Sequence, residues 1–463
     1  MSVPSTAIQD QPPYVWPDHA FDQHAHAPSF DGLFRTIALH ETAASIATDS
    51  RWPAFFPSPI GLLTTGTGAT ATLERVVGPM IVNRFPLVMA ISLCREQISD
   101  RHYARRTVMD TLEQTGAAVL QFVAPGADLS EALDAVATVP DADATSRLPR
   151  LGPLRETTVT GTPMLRTAFL AYEGRLARPG TSIDGTPIYD HPWLDVGSHR
   201  IYFLEVLAIH LRTEIATGQR QIGWHSLPFW TPGQHVDAPA YDDSLLARQR
   251  YVKSYTPDYR FPASGTVAFE ADEIVGDMSV RHLEPLAAGQ VVVDNDRARW
   301  PCFFPSSAGM LTAWQPDGRA TVMPCGSTAV VSRLPLTFAA AISNSAINER
   351  YAPRATLGFI RDRGRFGVGV PFTDDAVVRA ISYLGNISAG RDPDKAAHAG
   401  LTLLDGATTP VVAQLPLTFD CRVTRELTLG THVLVLGEVE RIHVRRDVTA
   451  QRPVEWRPWA TLA

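Results

Sequence analysis

From His199 to Leu211 the side chains alternate, with His199, Ile201, Phe203, Glu205, Leu207, Ile209 and Leu211 on one side and Arg200, Tyr202, Leu204, Val206, Ala208 and His210 on the other. A period of two marks a β-strand, and apolar residues on both sides mark one buried on much of both faces. Residues 433–444 repeat the pattern, with Gly437 predicted at a bulge or a close backbone contact. The same reading predicts strands over 61–65, 87–93, 117–123, 309–312, 336–342 and 367–371. Helices are fewer. Asp128-Leu129-Ser130-Glu131 resembles a capping box opening a helix to 136, Asp374 and Asp375 open another to 384, and Asp242 and Asp243 cap a third over 242–255. Many short strands with two or three helices predict a closed β-barrel architecture, α+β in class and mainly β.

Comparing the chain with itself changes the picture most. Arg51-Trp52-Pro53-Ala54-Phe55-Phe56-Pro57-Ser58 returns 248 positions later as Arg299-Trp300-Pro301-Cys302-Phe303-Phe304-Pro305-Ser306. Arg84-Phe85-Pro86-Leu87 matches Arg333-Leu334-Pro335-Leu336, and Tyr103-Ala104 matches Tyr351-Ala352. Later, Gly197-Ser198-His199, Glu205-Val206 and His210 match Gly430-Thr431-His432, Glu438-Val439 and His443 at an offset of 233. So long a period makes each copy a domain rather than a solenoid unit. The expected organisation is an N-terminal extension over 1–50, a first barrel over 51–231, a connector over 232–298 and a second barrel over 299–463. The connector, with its helix, is expected to pack on the barrels and hold them in a fixed relation.

Composition narrows the partners. The 463 residues carry 41 basic and 48 acidic side chains, a formal charge of −7, with no global attraction to nucleic acid or an anionic bilayer. No apolar stretch approaches the ~18 residues of a membrane span, and no secretory signal precedes Arg35. Cys94, Cys302, Cys325 and Cys421 show no CxxC spacing, which fits reduced thiols and a cytoplasmic location. His19, His24 and His26 with Asp18 and Asp22 lack a recognisable ligand scaffold, so no metal is expected. Only Lys253 and Lys395 are lysines, so a lysine within a motif carries unusual weight.

One such motif lies in the second copy. Ser382-Tyr383-Leu384-Gly385-Asn386-Ile387-Ser388-Ala389-Gly390-Arg391-Asp392-Pro393-Asp394-Lys395 is followed by Ala399-Gly400-Leu401-Thr402 and Leu415-Pro416-Leu417-Thr418-Phe419-Asp420-Cys421-Arg422-Val423. Gly430-Thr431-His432 and Gly437-Glu438-Val439 complete the set. In order and spacing these blocks resemble the flavin reductase-like FMN-binding split-barrel family. The resemblance covers nearly all of the second copy, is weaker in the first and leaves out 1–50 and 232–298. It implies barrels of about six strands that pair and bind FMN near their interface, so this chain is expected to form two tandem FMN-binding split β-barrels, an intramolecular pseudo-dimer. The implied activity is that of a flavin-dependent oxidoreductase, with hydride transfer through flavin N5. FMN is the implied cofactor, with FAD as the alternative, and NAD(P)H a candidate hydride donor. An organic small molecule in a biosynthetic pathway is the expected substrate. Other readings are an NAD(P)H:flavin reductase supplying a partner monooxygenase, and a flavin-free enzyme or scaffold. Further oligomerisation stays open.

By the same resemblance, Ser327, Thr328, Ser332 and Thr356 stand where the family contacts FMN. Arg354 is the phosphate cation, Lys395 a partner for phosphate or reduced flavin, and His432 the residue beside the ring, with His199 its first-copy equivalent. A phosphate needs several N–H and O–H donors and a cation, which these residue types supply. The first copy offers Val77-Gly78-Pro79, Asn83 and Arg106-Thr107 in these places; it lacks the Gly-Arg-Asp-Pro-Asp-Lys block, and Pro79 removes a donor, so its site reads as degraded. Each residue has a plainer reading. The histidines could be satisfied at strand ends, Ser327, Thr328 and Thr356 could cap or turn the backbone, and Lys395 could sit in a solvated turn. Trp52 and Trp300 read as packing residues and Cys325 as an inert thiol.

Overall fold

The computed structural model describes residues 14–15, 33–38, 58, 60–83, 87–98, 104–123, 145, 152–177, 191–211, 222–224, 229–232, 253–256, 274–277, 309–345, 352–370, 375–406, 408–447, 455–456 and 460–462. Two antiparallel sheets organise them. The first contains β1 (Ile60–Thr65), β2 (Thr72–Val77), β3 (Met80–Asn83), β4 (Val88–Cys94), β5 (Ala117–Val123), β6 (Ala168–Leu176) and β7 (His199–Leu211). The second contains β8 (Gly309–Trp314), β9 (Ala320–Cys325), β10 (Thr328–Arg333), β11 (Leu336–Ser343), β12 (Arg365–Gly369), β13 (Leu417–Thr428) and β14 (His432–Arg445). Their orders are β2-β1-β5-β6-β7-β4-β3 and β9-β8-β12-β13-β14-β11-β10, the same path traced twice. Each path ends at its outer strands without a ladder joining them, so among the described residues the sheets are open where the sequence pattern predicts closure.

The helices follow the same plan. α1 (Arg106–Thr115) lies between β4 and β5, and α2 (Ala355–Arg363) between β11 and β12. α1 turns Val108, Met109 and Leu112 inward; α2 turns in Thr356, Leu357 and Ile360. Both stop at a glycine in the left-handed region, Gly116 (φ 68°) and Gly364 (φ 64°). The glycine N–H bonds back to Leu112 or Ile360, satisfying a terminal carbonyl at little steric cost. α3 (Asp375–Asn386) and the short α4 (Lys395–His398) belong to the second half.

Alternation explains why the central strands are apolar on both sides. In β7, Tyr202, Leu204 and Val206 enter the core of the first sheet, while Ile201 and Phe203 face outward into a separate cluster. In β14, Val433, Val435 and Val439 enter the second core, while Leu434 and Leu436 join that same outer cluster. β4 contributes Val88 and Ala90 to it and β11 contributes Ala339 and Ala341, so it is a third core where the two sheets meet. A strand with two cores has no polar face to show.

Polar contacts cross this junction in matched pairs. Thr431 donates its N–H and its hydroxyl to Asn83 Oδ1, at 2.8 and 2.7 Å. At the repeat-related place, Ser198 donates its N–H to Leu334 O at 2.8 Å and accepts from Leu334 N–H at 3.1 Å, with Ser332 Oγ 3.4 Å from Ser198 Oγ. The backbone also exchanges arms. Phe34–Ala38, ahead of the first sheet in the chain, pairs with β14, and Ile274–Asp277, ahead of the second, pairs with β7.

Lys253–Thr256 is a strand paired with Phe229–Pro232 and not the end of the helix predicted over 242–255. Alternating Lys253, Ser254 and Tyr255 satisfies a strand as readily as a helix once a partner strand is present. The remainder of that helix, the one over 128–136, Trp52, Trp300 and the N-terminal histidines lie outside the described residues.

Candidate functional site

The C-terminal end of β11 gathers most of the candidate residues, and the backbone shows how. Ser343 is paired in register with His432, the first residue of β14. Its carbonyl accepts the N–H of Arg354, the residue capping α2, at 3.2 Å. Two residues earlier, Ala341 N–H reaches Ser327 O at 2.9 Å in the turn between β9 and β10. The two anchoring positions, Ala341 and Ser343, stand about 7 Å apart along the strand. One strand end therefore brings together Ser327, His432, Arg354 and, through the helix that Arg354 opens, Thr356.

Each predicted residue can be placed. His432 is buried, with Nδ1 2.8 Å from Thr431 Oγ1 and Nε2 3.3 Å from Ser343 Oγ. Arg354 caps α2, whose first turn carries no acidic residue, so the positive end of the helix and this cation belong to one turn. Thr356 is buried in that first turn. Thr328 is buried beside them, but its hydroxyl donates to Cys325 O at 3.1 Å. Ser332 is the exception. It pairs with Thr337, six residues along β11 from Ser343 or about 20 Å, and its hydroxyl faces Ser198 at the opposite end of the junction. The residue that reaches the His432 end is Asn83 of the first sheet.

Lys395 is neither in a solvated turn nor exposed. The residue is 2 % exposed, and its ammonium donates to Leu384 O and Ile387 O, at 3.1 and 3.0 Å, closing the C-terminal end of α3. Burial, helped by the charge of Arg354, pulls its pKa down to about 7, while Asp392 pulls the other way. Asp392 organises the same turn, accepting from Tyr383 Oη at 2.9 Å and from Asp394 N–H at 3.1 Å, with His398 Nδ1 at 2.8 Å. The motif block thus builds one buried, internally bonded turn, close enough to Arg354 for the two positive charges to be felt.

The His199 end has the same frame with different chemistry. Arg105 N–H donates to Cys94 O at 2.8 Å, as Arg354 does to Ser343, so Arg105 and not Arg106 is the counterpart of Arg354, and Arg95 N–H donates to Ser198 O at 3.0 Å, as Asn344 does to Thr431. Here Arg105 lies 3.0 Å from the carboxylate of Glu74, which is buried in β2. In the second sheet the corresponding place is Met323, since Glu74 pairs with Leu63 and Met323 with Leu311. Burial pushes the Cys94 thiol up, so it is a poor nucleophile there.

Ser343 and the contact made by Asn83 escape the sequence reading. A signal for Ser343 exists, because a histidine opening one central strand faces the end of its neighbour. Among the described residues no group of His, Cys, Asp and Glu could hold a metal ion, and no helix is long and apolar enough to cross a membrane.

Comparison with known proteins places part of this chain. Flavoredoxin of Desulfovibrio vulgaris (Miyazaki F) is 22 % identical, covering 31 % of this chain and 73 % of its own, with a TM-score of 0.27. Flavoredoxin from Methanosarcina acetivorans is 21 % identical, covering 32 % and 74 %, with a TM-score of 0.28. An uncharacterized protein of Archaeoglobus fulgidus is 27 % identical over 113 residues, 24 % of this chain; the chain spans 59 % of that relative's length. Residues 302–458, which hold strands β8 to β14 and the strand end at His432, match the family described as flavin reductase like domain.

Proposed function

We propose that the chain is an FMN-binding oxidoreductase built from two fused split barrels, with its working flavin site at the His432 end of the junction. The observation that carries this reading is the convergence of Ser327, Arg354, Thr356 and His432 within the segment that matches the flavin reductase like domain. The shared strand order, the matched junction contacts and the exchanged arms support a duplication that became an intramolecular pseudo-dimer.

The residues present fit a flavin phosphate. The α2 N-terminus supplies backbone N–H groups, Arg354 a cation, and Ser327 and Thr356 hydroxyls, with no acidic side chain in the first turn to repel an anion. Bound FMN would supply two-electron chemistry there. His432 would orient a ligand at the strand end, and the tightly packed junction would keep water from one side of it. NAD(P)H as the donor, an organic small molecule as the substrate and a monooxygenase as a partner belong to this proposal.

The test is the visible absorption spectrum of the purified protein, with the FMN retained per chain after loading and dialysis. About one FMN per chain, with Thr356→Val weakening the titration far more than Thr107→Val, is the expected result. A protein that neither retains nor reduces FMN overturns the reading.

A further inference from the structure

The hydrogen-bond chain at the junction has a direction, and it ends on His432. Thr431 N–H can only donate, so the atom of Asn83 that it meets at 2.8 Å is the amide oxygen. That oxygen can only accept, so Thr431 must spend its single hydroxyl proton on it, at 2.7 Å. Thr431 Oγ1 then has only lone pairs to offer His432 Nδ1, at 2.8 Å, and Nδ1 must carry the proton. In a neutral imidazole this leaves Nε2, 3.3 Å from Ser343 Oγ, as the accepting nitrogen.

We infer that Asn83, from the first sheet, is a positioning residue that fixes His432 of the second sheet as its Nδ1–H tautomer through Thr431. A ligand group that takes the place of Ser343 at Nε2 must therefore arrive as a donor, an amide N–H or a hydroxyl, and a carbonyl is rejected. At the repeat-related end the contacts among the described residues do not fix a direction. Ser198 Oγ accepts Leu334 N–H but otherwise meets Ser332 Oγ and His199 Nδ1, at 3.4 and 2.9 Å, and either contact can run in either direction. The difference between Asn83 and Ser332 thus makes two similar histidines unequal. The ligand selectivity rests on the flavin-site reading above; the tautomer does not.

The experiment is nitrogen NMR of the full chain labelled in its histidine rings, without ligand and near pH 8, with His432→Gln identifying the resonances. The expected spectrum has His432 Nδ1 as the protonated nitrogen and Nε2 as the bare one. Asn83→Asp, which still accepts both Thr431 protons, keeps that pattern, whereas Asn83→Ala converts it to a mixture of tautomers. Asn83→Ser is the substitute should the alanine variant fail to fold, with the same loss expected. A bare Nδ1 in the parent protein, or an unchanged spectrum in both the alanine and serine variants, overturns the inference. Whether FMN binds is read separately from the absorption spectrum, so failure of one leaves the other standing.

Discussion

Lys395 shows how a motif residue can be taken up by the fold itself. Its ammonium closes the last turn of α3, near enough to Arg354 that the two positive charges repel. With a folded-state pKa of about 7 against an ordinary 10.5, the folded protein binds fewer protons than the unfolded chain between those values. Stability therefore rises with pH from about 7 to about 10.5, and below 7 the full cost of burying the charge remains. Lys395→Met removes this slope while leaving two helix-end carbonyls without their donor. Urea midpoints measured across that range should climb more steeply for the parent protein than for the variant. Parallel curves would contradict the assignment. His443 adds a slope of the same sign at lower pH: burial, and then the charge of Arg441, push it down from 6.5 to about 4, so stability is full above 6.5 and falls as pH drops toward 4.

At the scale of elements, Gly437 is a position where β14 has no room for a side chain. A Cβ there would lie 2.5 Å from the ring of Phe366 and 2.8 Å from Cys421 Cβ. Gly437→Ala should cost about 1–3 kcal/mol by overpacking, read as a lower urea midpoint with an unchanged slope. An unaffected midpoint would show that Phe366 can yield. The position is legible in the sequence as a close contact, and so are the central strands: β7 spans the residues read from alternation alone, and β14 differs by one residue at each end. Less legible are β2, β3, β9 and β10, whose short runs follow no clean alternation because both of their sides are largely buried. The site is legible in part for a similar reason. Ser327, Arg354, Thr356 and His432 lie in motifs of one half, whereas Asn83 reaches them from the other half through Thr431, across 348 residues of sequence. Ser332 falls away from the site because a strand carries its two ends to different places, and no local pattern says which end a serine serves.

At the scale of the molecule, the two halves share one frame and differ in charge. Arg105 and Arg354 cap equivalent helices at equivalent strand ends, yet Arg105 faces a buried carboxylate, Glu74, where the other half has Met323. A cation already neutralised at 3.0 Å attracts an anion weakly, so the pair would act as a standing block on phosphate binding at the His199 end. Glu74→Met copies the second half into the first. If that carboxylate is what silences the site, FMN retained after dialysis should rise from about one toward two per chain, and the added binding should weaken with salt more than the original. Removing one member of a buried ion pair is destabilising in itself, so the folded fraction must be measured alongside, and Glu74→Gln gives a closer match in shape. A folded variant that still holds one FMN would place the loss elsewhere, in the missing hydroxyls and in Pro79, and would mean that the first half is kept for what it presents across the junction. Asn83 is the residue through which that contribution would act, since the first half can lose its own ligand and still set the proton on His432.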